Sequence, residues 1–503
     1  MRTGSTAART APARKTGSRL RRRALLGVSV AALAASLGGA ALAEPALPVV
    51  ENGGAPVPAT ADNPLHEGIF YTAIRPYLLP APEIFTEAAH GYVTEEYFIS
   101  GTANEAPYLT RILVHRPADV ADWSGMTLLE TMHPAGAAQT WDHSRVGGMI
   151  AGHVYVEVVN APNLVNNLRN LNETRYADLA IEGAPAGGGG GGPPAENVAA
   201  NQIIAQVAYL LKTANPAGAD WNAEWLVITG SSATSSTAMN FMEQPNGNSN
   251  ANHRMPDGSS VIDAMYVWDT NGPTAEELDE FYAGLPVVIK STQHEWDDAT
   301  AETAAGWLDD FDPTADNAGL YRLYQVAGEP HLGSRDAFAA DPLSCEFQPM
   351  SHFFDAAMVY MPLEHLYNYL ADDVLPPTAD RIVVDANGLV FDEFGNATGG
   401  VRSPQLEVPT HTFVIPNAGS AQCGLGSYTI PLTAEQLGAL YASPEDYAEK
   451  LRASAAALVE AGWFPDEYLF VIDEEIARYG QPTTYGYRNP DVPPPAPPAP
   501  APG

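Results

Sequence analysis

The chain has 503 residues, with 25 Lys+Arg against 60 Asp+Glu and a formal net charge of −35. That balance argues against a nucleic-acid partner, for want of cations to neutralise phosphates, and against attachment to anionic lipid through a basic patch. With 45% apolar residues the chain is globular rather than disordered, and its two cysteines exclude a disulfide-framework mini-protein or a four-cysteine zinc site.

Residues 1–43 form a separate segment. Eight basic residues from Arg2 to Arg23 precede an apolar run, Ala24 to Leu42, that ends Ala41-Leu42-Ala43 ahead of Glu44. A basic region, an apolar region and an A-x-A site describe a secretory signal peptide. The run Arg21-Arg22-Arg23-Ala24-Leu25-Leu26 looks like a twin-arginine signal, which implies export after folding. The alternative is an uncleaved anchor, since about 19 weakly apolar residues could barely span a bilayer. The expectation is a secreted or periplasmic protein with no membrane partner in its mature form. Losing the eight cations makes it more acidic still, which disfavours anionic substrates.

The mature chain has soft edges. Residues 44–63, rich in Pro, Ala and Asn, read as a loose leader, and 44–104 as that leader with the first strands. The tail from Asn489 to Gly503 is mostly Pro and Ala, so it is expected to be extended and disordered. Gly187 to Gly192, followed by Pro193 and Pro194, can hold neither helix nor strand and read as a surface loop. Between these edges, short apolar runs predict strands at Tyr108–His115, Met126–Met132, Val154–Val159, Trp225–Thr229, Ile262–Trp268, Pro286–Ile289 and Tyr321–Val326. Ile203, Val207, Leu210 and Leu211 share one helical face, and Asp446–Ala461 is amphipathic. Alternating strands and helices imply a mostly parallel, three-layer α/β sheet, one catalytic domain over residues 105–475 with appended C-terminal segments.

Trp225-Leu226-Val227-Ile228-Thr229-Gly230-Ser231-Ser232-Ala233-Thr234 runs a buried strand into small residues, with a helix expected from about Ser235. A nucleophile elbow needs this context, because its strained turn admits only small neighbours. The register selects Ser232 over Ser231 and Ser235, with Thr234 standing where G-x-S-x-G has its last glycine. An ordinary Ser/Thr-rich helix cap is the competing reading. A serine hydroxyl needs a base, and the chain order of this arrangement is Ser, acid, His. Glu295, just past the strand Pro286–Ile289, is the favoured acid, with Asp269, Asp297 and Asp298 as alternatives. His331 comes after the strand Tyr321–Val326 and is the candidate base. His294 and His133 are competitors. The turn His133-Pro134-Ala135-Gly136 comes after the strand Met126–Met132, where an oxyanion loop belongs. Pro134 has no N–H, so Ala135 or Gly136 would donate there, with the Ala233 N–H as the second donor; an ordinary turn is the alternative.

The chain resembles a bacterial family of secreted α/β-hydrolase domain proteins related to serine carboxylesterases. Besides the elbow, the resemblance rests on Thr110-Arg111-Ile112-Leu113-Val114-His115-Arg116-Pro117, on Val326-Ala327-Gly328-Glu329-Pro330-His331, and on Gly395-Asn396-Ala397-Thr398-Gly399-Gly400-Val401-Arg402-Ser403-Pro404. It covers most of residues 105–475. It implies the α/β-hydrolase fold and hydrolysis through a Ser-acid-His triad, mostly without a defined substrate; with Ser232, Glu295 and His331 in those places, the expectation is a small-molecule ester or lactone as substrate and no cofactor. An amidase or peptidase using the same triad, or a non-catalytic relative, are the other classes to separate.

Cys345 and Cys423 are expected to pair in an oxidising compartment, with two buried free thiols as the alternative. No metal site is expected. Asp385-Ala386-Asn387-Gly388 lacks the regular spacing of a calcium loop, and Asp309, Asp310 and Asp312 read as a solvated acidic turn. Oligomeric state and acyl specificity are not legible.

Overall fold

The computed structural model describes residues 44–60, 62–65, 83–134, 136, 138–184, 198–243, 253–282, 284–314, 319–332, 353–419 and 421–479. The expected signal segment, the Pro/Ala tail, the glycine run, Ala135 and Cys345 lie outside them.

The centre is a ten-stranded sheet in the order β1-β2-β3-β5-β4-β7-β8-β9-β10, with β6 against β3. Its strands are β1 (Val49–Val50), β2 (Tyr92–Ala103), β3 (Ala106–Pro117), β4 (Met126–Thr131), β5 (Val154–Val158), β6 (Ala180–Ile181), β7 (Trp225–Ser231), β8 (Ala264–Trp268), β9 (Pro286–Thr292) and β10 (Leu320–Val326). From β5 across to β10 the pairing is parallel, and at the other edge β1, β2 and β3 run antiparallel. Every residue of β4, β5, β8, β9 and β10 is buried, which explains why these strands read as mainly apolar stretches without a polar face. Helices flank the sheet: α1 (Gln139–Ala151), α2 (Pro162–Leu171), α3 (Val198–Thr213), α4 (Ala233–Glu243) and α5 (Asp355–Asp372). The fold is thus the expected mostly parallel α/β sheet, with α6 (Pro444–Glu460) among the appended segments.

Strand β2 is only coarsely visible in the sequence because it carries acids. Its Glu96 is fully buried and meets Arg111 Nη1 at 3.0 Å, Arg175 Nε at 2.7 Å and the Tyr176 hydroxyl at 2.8 Å, while Arg111 Nη2 reaches Glu157 at 2.6 Å. Each buried charge is partnered, as a low-dielectric interior requires. The same network corrects the reading of residues 44–63 as loose. Arg175 collects the carbonyls of Pro58 at 2.9 Å and Asn63 at 3.2 Å, Val57 N–H donates to Glu96 O at 2.7 Å, and β1 pairs with β2.

The Gly395–Pro404 segment adds to the far edge. Val401 N–H donates to Gln325 O at 2.7 Å, and Ala327 N–H donates to Val401 O at 3.0 Å, so this segment pairs beside the end of β10. A Cβ on Gly400 would lie 2.6 Å from Gln325 O, so only glycine lets the backbones approach. Asn396, fully buried, donates to His411 O at 3.1 Å and accepts from Phe413 N–H at 2.8 Å. The acidic stretch 309–312 is not simply solvated. Asp310 pairs with Arg381 at 2.7 Å and accepts from Leu323 N–H at 3.0 Å, and Asp312 pairs with Arg322. Arg322 is a buried residue of β10 itself, and Arg381 donates to Leu323 O of that strand at 2.7 Å, so each meets a carboxylate there.

Candidate active site

Parallel strands end together at one edge of a sheet, so the residues just past their ends meet there. Strand β7 ends at Ser231 and α4 begins at Ala233, two residues earlier than expected, leaving Ser232 alone in the turn. Its φ of +50° is left-handed, a strained backbone for a residue with a Cβ. Gly230 is obligatory here, because a Cβ would lie 2.5 Å from the backbone C and O of Thr234. Thr234 fits where the usual pattern has glycine. Its buried hydroxyl folds back to accept from Ser231 N–H at 2.8 Å and donate to Ser231 O at 2.9 Å. The two rival serines are engaged elsewhere. Ser231 Oγ donates to Asp269 at 3.2 Å, and Ser235 Oγ lies 2.6 Å from Trp268 O.

Ser232 Oγ lies 2.9 Å from His331 Nε2, and His331 Nδ1 lies 2.6 Å from Glu295 Oε1. With a carboxylate on one side, the imidazole carries its proton on Nδ1, and Nε2 is left to accept from the serine. The other oxygen of Glu295 accepts from the backbone N–H of Thr292 at 2.8 Å and from the Thr292 hydroxyl. The loop bearing His331 is held from three sides. Ala327 N–H donates to Val401 O at 3.0 Å, Gly328 N–H to Gln293 Oε1 at 2.8 Å, and Leu332 N–H to Leu425 O at 2.8 Å. The structure therefore brings together the three residues expected from chain order. It does not bring the alternative acids to His331 in the same way. Asp269 is bonded to Ser231 and to Lys290 Nζ at 3.3 Å, Asp297 lies 3.5 Å from His294, and Asp298 is exposed. The His294 ring stands edge-on to His331 with centroids 5.8 Å apart.

The electrostatics match this geometry. Burial works to raise the Glu295 carboxyl, but its hydrogen bond and charge interaction with His331, with help from Thr292 and Lys290, hold it below the usual value. Burial works to lower the His331 imidazole, but the Glu295 hydrogen bond and the charges of Asp269 and Glu295 raise it above 6.5.

Of the expected oxyanion donors, Ala233 stands as the first residue of α4, where a helix leaves its N–H groups without intrahelical partners. Gly136 differs from expectation. Its N–H donates to His133 O at 2.7 Å and closes the turn, so that donor is spent locally. Asn167 Nδ2 holds the same turn through Pro134 O at 3.1 Å. Nearby, buried Glu130 accepts the Thr140 N–H at the start of α1 at 3.0 Å, and burial pushes its carboxyl up to about 8.

Sequence reasoning passed over Thr292, Lys290 and Glu329. A lysine directly after the apolar run Pro286–Ile289 is the available signal, since a buried cation demands buried acids. Among the described residues no group of His, Cys, Asp and Glu could hold a metal ion, and no helix is long and apolar enough to cross a membrane. Asn387 N–H donates to Asp385 Oδ1 at 2.6 Å, a hairpin turn. Cys423 is fully buried, and no described cysteine is free.

Residues 54–469, most of the chain, match the family described as Alpha/beta hydrolase domain. No curated protein sequence matches the chain. Similar solved structures include esterase Est22, at 14% identity over 60% of this chain and 89% of that one, with a TM-score of 0.34. Another is LpqC, a poly(3-hydroxybutyrate) depolymerase from Bordetella parapertussis, at 11% identity over 59% of this chain and 94% of that one, TM-score 0.30. A third is a zinc-bound cold-adapted esterase from an Arctic intertidal metagenomic library, at 11% identity over 46% and 84%, TM-score 0.25.

Proposed function

The chain belongs to the alpha/beta hydrolase domain family, and from that premise we propose that it is a serine hydrolase cleaving a neutral carboxylic ester or lactone. The observation that carries the reading is the unbroken line from Ser232 Oγ to His331 Nε2 at 2.9 Å and from His331 Nδ1 to Glu295 at 2.6 Å. Ser232 Oγ attacks the ester carbonyl as His331 Nε2 takes its proton, forming a tetrahedral intermediate. The Ala233 N–H, with Ala135 of the 133–136 turn as second donor, receives the developing oxyanion. His331 then gives the proton to the departing alkoxide, leaving an acyl-enzyme, and activates water to release the acid. Glu295 keeps the imidazole in the working tautomer and stabilises the imidazolium. The surplus of 60 acids over 25 bases favours an uncharged substrate. We further read residues 1–43 as an export signal and Cys345–Cys423 as a disulfide of the exported protein.

Short p-nitrophenyl esters test the reading. Turnover by the wild type, near-complete loss in Ser232→Ala, and fluorophosphonate labelling at Ser232 are expected, since losing a nucleophile costs about 10⁴–10⁶-fold in kcat. Equal rates for the two proteins and no labelling would mean a non-catalytic relative. Hydrolysis of anilides with inert esters would mean an amidase.

A further inference from the structure

Beneath the triad lies a charge that the mechanism above does not use. Lys290, fully buried in β9, places Nζ 2.7 Å from Glu329 and 3.3 Å from Asp269, and 5.2 Å from the centroid of the Trp268 ring. Its two carboxylates come from different parts of the site. Asp269 stands just past β8, accepts from the hydroxyl of Ser231 at 3.2 Å beside the nucleophile, and has a left-handed φ of +54°. Glu329 lies two residues ahead of His331, in the loop after β10.

We propose that the Asp269–Lys290–Glu329 cluster is a positioning device for His331, tying the nucleophile turn to the histidine loop. The inference rests on the hydrolase reading for its consequence in catalysis, but not for its effect on the histidine. The ties are physical. Lys290 is bound in the interior by both acids, so the three elements that carry them are held in one arrangement, and burial pushes the Glu329 carboxyl well above its usual value. The tie converges on a histidine that must become charged during each half-reaction. His331 is faced by Glu295 from the turn after β9, Lys290 of β9, Asp269 after β8 and His294. The Lys290 charge opposes the imidazolium, and the Asp269 and Glu295 charges favour it. Glu329 is faced in turn by Asp355 at the start of α5, and both acids, Glu329 and Asp269, act on Tyr266 of β8.

The test is the titration of the His331 imidazole by NMR in the full chain, assigned by its absence in His331→Gln. Asp269→Asn is nearly isosteric, and asparagine tolerates the left-handed backbone. Removing this one anion should lower the His331 midpoint by about 0.5–1.5 pH units. Lys290→Arg, which keeps the cation, should leave the midpoint near the wild-type value. Asp269→Gly, suited to the same φ, carries the test if the asparagine variant does not fold. A midpoint unmoved in the folded Asp269 variants would overturn the proposal. The acid limb of kcat/KM on an ester should move down by the same amount. A midpoint moved in the Asp269 variants, beside a wild type that hydrolyses no ester, would leave this proposal standing and remove the hydrolase reading.

Discussion

Replacing Glu295 with glutamine isolates one question: the contribution of the third residue of the triad beyond its volume. In the wild type all of its hydrogen bonds are accepted, none donated. One oxygen takes the His331 Nδ1–H at 2.6 Å, and the other takes the Thr292 backbone N–H at 2.8 Å together with the Thr292 hydroxyl. A glutamine has one accepting oxygen and one NH₂ group, so one of the two sides must face a donor. The Thr292 N–H is fixed in the backbone and cannot reverse. The imidazole can, by moving its proton to Nε2. The amide oxygen therefore stays with Thr292, the NH₂ turns to Nδ1, and Nε2 becomes protonated against Ser232 Oγ. A base with its proton already in place cannot take another. The expected loss in kcat/KM is about 10³–10⁴-fold, or about 4–5.5 kcal/mol of transition-state stabilisation. The assay is p-nitrophenyl butyrate hydrolysis across pH 5–9, beside a fluorophosphonate labelling rate. Within about threefold of wild-type activity for Glu295→Gln, in a protein inactivated by Ser232→Ala, would refute the tautomer argument.

Other parts of the molecule carry three more expected outcomes. Gly230→Ala should force the elbow apart, because its Cβ would meet Thr234 backbone at 2.5 Å; calorimetry should show a loss of about 1–3 kcal/mol and labelling of Ser232 should slow sharply, whereas unchanged behaviour would deny the steric account. Glu130, whose folded value is raised from 4.5 to about 8, favours folding fully below its unfolded value and loses that contribution as pH rises through about 8; Glu130→Gln should therefore gain thermal stability relative to the wild type at pH 8–9 and not at pH 4, and parallel Tm curves would contradict this. Arg22→Lys with Arg23→Lys should retain the precursor inside the cell, while unchanged secretion, or a mature N-terminus far from Glu44, would count against the proposed export signal.

Strands β4, β5, β7, β8, β9 and β10 were legible from local sequence because in each the apolar residues outnumber the isolated charged ones, and their hydrophobicity does not depend on neighbours. The order of Ser232, Glu295 and His331 was legible for a related reason: each stands just past such a strand, and parallel strands deliver the residues beyond their ends to one edge. The acids needed more. Asp269 and Glu295 both stand just past buried strands, and only pairing across 36 residues puts Glu295 against His331, while Lys290 draws Asp269 toward Ser231. Whether Thr234 could replace glycine depended on a hydroxyl finding Ser231 within its own turn, and whether Gly136 could serve an oxyanion depended on where its N–H pointed. Strand β2 blurred because Glu96 looks solvated until Arg111 and Arg175 arrive from distant segments. Apolar burial is written residue by residue, whereas the fate of a charge is set by the partner that meets it, and only tertiary structure chooses that partner.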